Sequence, residues 1–132
     1  MTHRVGSSIV VALLVSFAFA CGGALAGAKS DFKGGRVAEA KDKLVAMEAD
    51  SRSWTGTRRA EYVLYRGLVH HALGDRAAAA PWLREAKALE DEHPRTLSDD
   101  DRARLDLALD ALGSGASGPT PAPGSGSSSA AP

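Results

Sequence analysis

Cysteine is almost absent from this chain: Cys21 stands alone among 132 residues. No intrachain disulfide can brace the fold, which therefore has to stand on apolar packing. An excess of either charge is missing too, since sixteen Lys and Arg face sixteen Asp and Glu. That balance removes the electrostatic case for nucleic acid or an acidic polymer as partner. Strands are not evident, and with them goes the strand–loop–helix setting of a phosphate-binding glycine loop. No nucleophile stands near a base at a useful spacing, so no catalytic residue and no cofactor is expected. Nor does the longest apolar run, Ile9 to Ala20, reach the roughly 20 residues that span a bilayer.

What is present divides the chain into three. Residues 1–28 have the layout of a secretory signal peptide: a short positive start ending at Arg4, the uncharged apolar run, then small residues through Ala28. Ala24-Leu25-Ala26 and Ala26-Gly27-Ala28 each place small residues at the two positions a signal peptidase inspects. Cys21 followed by Gly22-Gly23 also looks like a bacterial lipoprotein signal, in which the cysteine is lipidated and becomes the new N-terminus; Ala18 and Phe19 depart from that pattern. Without Arg4, fifteen basic residues face sixteen acidic ones. At the other end, residues 113–132 carry no charge, no aromatic and no large aliphatic side chain. Such a tail cannot offset its ordering entropy and is expected to stay disordered, either as a bland extension or as a spacer. The segment 29–112 remains as the folded domain.

Helical spacing runs through that segment. Lys29 to Lys33 reads as the last turn of a short helix with Phe32 as its anchor, stopped by Gly34-Gly35. Val37, Ala40, Leu44 and Met47 fall on one face of a helix from Arg36 to Ala49. Asp50 to Gly56 is a link, and its Trp54 either folds back to close one end of the bundle or offers a stacking platform. A helix from about Thr57 to Leu73 follows, with Tyr62, Tyr65, Leu68, Val69, Ala72 and Leu73 on its apolar side and Arg58, Arg59, Glu61 and Arg66 toward water or a partner. Gly74 can close it in the left-handed conformation, and Asp75 can cap the next helix, which runs to about Glu90. Ala79, Leu83, Ala86 and then Leu89 or Glu90 form its inward row. Pro81, in the second turn, kinks or tightens the start. Ser98 caps a last helix, with Asp99 to Asp101 on the positive end of its dipole and Ala103, Leu105, Ala108, Leu109 and Leu112 as a narrow stripe ending at Gly113. Asp106 and Asp110, four apart, belong to its solvated face.

The histidines suggest a metal, but the spacing does not. His70 and His71 are neighbours on one helix and point about 100° apart. A turn away from His70 stand Arg66 and Gly74, and a turn away from His71 stand Gly67 and Asp75; Asp75 is better used as a cap. No metal site is expected.

Gly67, Leu73-Gly74-Asp75, Ala79, Leu83 and Ala86 resemble the tetratricopeptide repeat, a helix–turn–helix unit of about 34 residues. An earlier half-repeat shows in Gly35, Ala40 and Leu44, spaced as Gly74, Ala79 and Leu83 are. The chain departs from the pattern at Val63, Arg66 and His70, where tryptophan, leucine and tyrosine are usual, and Pro94 comes a few residues late. About one and a half units are present, so the resemblance implies a compact all-α hairpin bundle with tetratricopeptide-like packing, its last helix acting as a polar-sided cap. It also implies a concave partner-binding surface on the first helix of the unit, made here of Glu61, Leu64, Tyr65, Leu68 and His71. The competing reading of Leu64, Tyr65 and Leu68 is plain core. Glu61 and Tyr65 differ from the Lys, Arg and Asn with which members of the family grip a C-terminal carboxylate.

The function these readings point to is an exported, non-catalytic adaptor for a protein or peptide partner in the bacterial cell envelope or periplasm. A structural lipoprotein held through Cys21, with the tail as spacer, is the alternative; membrane contact is expected only in that case. Self-association through the same face, and a metal-binding or enzyme-accessory role, are further alternatives.

Overall fold

The chain reverses at Leu73-Gly74-Asp75, and the helices on either side of that turn organise the rest. The computed structural model describes residues 20–116, which form six helices and their links, with no strand among the described residues. Residues 1–19 of the expected leader and 117–132 of the expected tail lie outside the described residues. In chain order the helices are α1 (Ala20–Lys33), α2 (Val37–Ala46), α3 (Glu48–Ser51), α4 (Gly56–Ala72), α5 (Arg76–Glu92) and α6 (Asp99–Ala116).

The turn forms as its residues dictate. Gly74 has φ of 81°, open to glycine at no steric cost, and the N–H groups of Gly74 and Asp75 bond back to the carbonyls of His71 and His70 at 3.0 and 2.9 Å. The Asp75 side chain then accepts from the Ala78 N–H at 3.0 Å, capping α5. The helix continues unbroken past Pro81, whose side chain is exposed. Along the hairpin, α4 and α5 meet at Gly67. A Cβ there would lie 2.6 Å from Leu83 side-chain atoms and 3.1 Å from its backbone nitrogen. Ala79 and Ala86 are fully buried on the facing helix.

α4 is central: it touches α1, α2, α5 and α6, and it is buried without a break from Tyr62 to Val69. This corrects the amphipathic expectation for Arg66, which is only 6% exposed rather than facing water. On the other side of the core, Ala40, Leu44 and Met47 are buried and Val37 partly so, as their spacing requires. The helix expected from Arg36 to Ala49 nevertheless divides at Met47 (φ −92°, ψ 0°) into α2 and α3. There the Leu44 carbonyl accepts from the Met47 N–H at 3.2 Å and from the Tyr62 hydroxyl at 3.0 Å, so a tertiary bond enters the helical ladder.

The first helix is longer than the single turn read at Lys29–Lys33. It runs from Ala20, and Leu25 and Ala28 join the core at 4% and 0% exposure. It stops as expected at Gly34-Gly35, where Gly35 has φ of 81°. Buried Asp31 fastens that end to α2, accepting from Arg36 Nη2 and Lys43 Nζ at 2.5 Å each. The Lys43 bond first, and then that of Arg36, holds the Asp31 carboxyl below its ordinary pKa.

α6 begins at Ser98, whose Oγ accepts from the Asp101 N–H at 3.2 Å. Leu105 and Ala108 are buried, Leu109 and Leu112 partly so, whereas Ala103 is exposed and drops out of the expected stripe. The helix also passes the expected stop at Gly113, reaching Ala116. Arg76, at the start of α5, donates to the carbonyls of Ala111 and Leu112 and supplies a cation to that C-terminal end. Exposed Asp106 and Asp110 lie on the solvated face.

The link between α5 and α6 is held by Glu90, 8% exposed, which accepts from the N–H groups of Arg95 and Leu97 at 2.8 Å each. Arg95 there has φ of 71°. Burial alone would raise the Glu90 pKa, but the bonds from Leu97 and Arg95 together with the Arg102 charge outweigh it, and the net shift is downward.

Two outcomes follow. Gly67→Ala should destabilise through the clash with Leu83, by about 1–3 kcal/mol less a helix-propensity gain of up to about 1 kcal/mol. Adding Leu83→Ala should cost less in this background than in the native one, a non-additivity read from urea unfolding of the four proteins. Glu90→Ala leaves buried donors unpaired and should cost about 1–3 kcal/mol. Because the Glu90 pKa is depressed on folding, its contribution is complete above the ordinary value of 4.5 and is lost as pH falls through the folded value. Chemical denaturation from pH 7 to pH 3 should therefore show a smaller acid loss in Glu90→Ala than in the native chain.

Candidate partner-binding surface

The face of α4 read as a partner surface is roofed by the chain's own helices. Leu64 and Tyr65 are fully buried and Leu68 is 5% exposed, so these three are core. Glu61 is half-buried, accepting from Lys29 Nζ of α1 at 2.7 Å. The ring of Phe32 meets that of Tyr65 edge-on, centroids 5.6 Å apart. From α6, buried Asp101 accepts from the Tyr65 hydroxyl at 2.7 Å and lies 3.7 Å from Lys29 Nζ. Burial first, and then the neighbouring Asp101, pushes the Tyr65 phenol far above its ordinary pKa, so it stays a donor. The open concave groove expected from Glu61, Leu64, Tyr65, Leu68 and His71 is thus filled by α1 and α6. The cover comes from α1, itself paired with α2, and from α6.

Two concavities border this roof. A cleft of about 200 Å³ is walled by Phe32, Leu68, His71, Arg104, Leu107 and Ala108, so two of the five residues, Leu68 and His71, border one cleft, with α1 and α6 supplying its other walls. Leu107 at its rim is 71% exposed, a large apolar side chain without cover in the described structure. Spacing assigned Leu107 no role because it lies off the α6 core stripe. A larger space of about 470 Å³ lies where α1 meets α4, with Lys29, Lys33, Arg58 and Glu61 among its walls.

The opposite flank of α4 carries its arginines against aromatic rings. Arg58 stacks 3.8 Å from the ring centroid of Trp54, and Arg66 lies 4.8 Å from that of Trp82. Trp54 and Trp82 each meet Tyr62 edge-on, at 5.5 and 6.1 Å. Trp54 does close the end of the bundle, and Arg58 occupies one of its faces. Acids complete the set: Arg66 Nη2 donates to Glu48 at 2.9 Å, and Arg59 Nη2 to Glu85 at 2.5 Å. Arg58, Tyr62 and Arg66, four residues apart, were the legible part; that tryptophans from a link and from α5 would slot between them was not.

His70 and His71 are half-buried. The His70 pKa is lowered, by burial first and then by the charges of Arg66 and Lys41, so the ring is neutral near pH 7. Among the described residues no three His, Cys, Asp or Glu side chains gather as a metal site would need. Cys21 belongs to α1, and its side chain lies outside the described residues. Among the described residues no helix is long and apolar enough to cross a membrane.

No protein-family model matches this chain, and neither a curated protein nor a solved structure matches it.

Removing the Tyr65 hydroxyl tests how far the roof depends on one polar bond. Tyr65→Phe keeps the ring contact with Phe32 but takes a donor from buried Asp101. Loss of a bond to a charged group should cost about 1.5–3 kcal/mol in urea denaturation. A cost near zero would mean the roof is held by apolar contact alone.

Proposed function

We propose that this chain is an exported, non-catalytic helical adaptor that holds a protein or peptide partner in a bacterial cell envelope. The close approach of α4 and α5 at Gly67, the small Ala79 and Ala86, and the left-handed Gly74 support tetratricopeptide-like packing for the hairpin. Export is supported by the leader composition of residues 1–28. The exposed Leu107 beside the Leu68 and His71 cleft is the observation that carries the binding reading. An apolar side chain of the partner would fill that cleft next to Leu107, and Arg104 at its wall would meet an acidic or carbonyl group. The contact surface is therefore the α1–α4–α6 seam rather than the inner face of α4, and no covalent step is involved.

Leu107→Glu tests this without disturbing the core, because the side chain is exposed. Bait carrying the substitution should capture the partner of the native bait from the envelope at roughly tenfold lower affinity, about 1.4 kcal/mol. Its melting temperature should not change. Equal capture by both baits would remove the cleft as the binding surface. Sedimentation that shows a concentration-dependent dimer in the native chain alone would identify the partner as a second copy.

A further inference from the structure

We propose that the leader is cut between Ala20 and Cys21, so that the mature protein begins at Cys21 and keeps every core residue of α1. The small-residue region after the apolar run offers the peptidase more than one place. Besides Ala24-Leu25-Ala26 and Ala26-Gly27-Ala28, the triplet Ala18-Phe19-Ala20 has small residues at the same two positions. The fold discriminates between them. A cut after Ala26 removes Leu25, 4% exposed in the core, and a cut after Ala28 also removes Ala28, which is fully buried. The five to seven residues of α1 left in those cases are too few to hold a helix unaided. Yet that remnant carries Lys29, which meets Glu61 and Asp101, Asp31, which binds Arg36 and Lys43, and Phe32 on Tyr65. All of them depend on α1 staying in register on α2 and α4.

A cut after Ala20 leaves every one of these contacts in place, because the α1 residues in or against the core, from Ala24 onward, all lie beyond it. The step is a simple hydrolysis. Water adds across the Ala20–Cys21 amide, leaving a carboxyl on Ala20 and an amine on Cys21, with no other reactant. An ordinary signal peptidase and a lipoprotein-processing one both yield this terminus, with the cysteine free in the first case and, in the second, already carrying a lipid group that a separate transfer from a membrane phospholipid has placed on its sulfur.

The inference rests on the export reading but not on the partner surface. The full-length precursor, expressed in an exporting bacterial host, is purified and its N-terminal peptide and intact mass are measured. A chain starting at Cys21 is expected, and added lipid mass tells which processing route made it. A start at Gly27 or Lys29 overturns the inference and leaves export standing. A chain that still starts at Met1 and stays inside the cell overturns both. Within the mature protein, Leu25→Asp should lower the melting temperature by roughly 10 °C or more, since a charge would enter the core. An unchanged melting temperature would show that α1 is not packed there, and the argument for this cut would fail.

Discussion

Burial of α4 on all its sides from Tyr62 to Val69 sets the terms for every other element. A helix in that position ordinarily carries no charge, because an unpaired buried charge is costly. This one carries Arg66 inside the buried stretch and half-buried Arg58, Arg59 and Glu61 just before it, and each is met from outside the helix by its neighbours. Lys29 comes from α1, Glu48 from α3, Glu85 from α5, and Trp54 from the link before α4. The neighbours are thereby held to α4 by two kinds of contact at once. Apolar packing supplies most of the stabilisation, while the ion pairs and cation–π contacts, individually modest, set register and angle.

The same arrangement shapes what surface is left for binding. The α4–α5 hairpin cannot bury its apolar face alone, so that face is closed by other helices of the chain. α1 and α6 close it, through Phe32 on Tyr65 and through Asp101 under the Tyr65 hydroxyl. The uncovered apolar surface is displaced outward to the rim where Leu107 stands. Binding on such a rim uses a shallow cleft and a few side chains.

Much of the fold could be read from local pattern. The Gly74 turn, the Asp75 cap, the Ser98 cap and the row Ala40, Leu44 and Met47 depend on interactions within a few residues, which spacing records directly. Where reading and structure part, a distant residue intervenes. Tyr62 reaches the Leu44 carbonyl and the helix expected from Arg36 to Ala49 divides; Arg76 meets the end of α6 and the helix outlasts Gly113. Ala103 differs: it is expected in the α6 stripe but lies two residues, about 200°, from Leu105, so helical geometry itself turns it to the exposed side with Leu107. For the candidate surface, Leu68 and His71 do share a cleft, while Leu64 and Tyr65 proved to be core.

The sequence by itself determined that the described part of this protein is helical, where its main reverse turn falls, and that the rows Ala40-Leu44-Met47 and Ala79-Leu83-Ala86 face inward, whereas Ala72 and Leu73, read into the α4 row, are exposed. Those follow from backbone preference and from periodicity, both local properties. Only the tertiary structure decided that α4 is enclosed, that Arg66 and Asp101 are inside, and that Leu25 and Ala28 belong to the core. Enclosure depends on which helices happen to lie alongside, and a single helix's periodicity has no term for its neighbours.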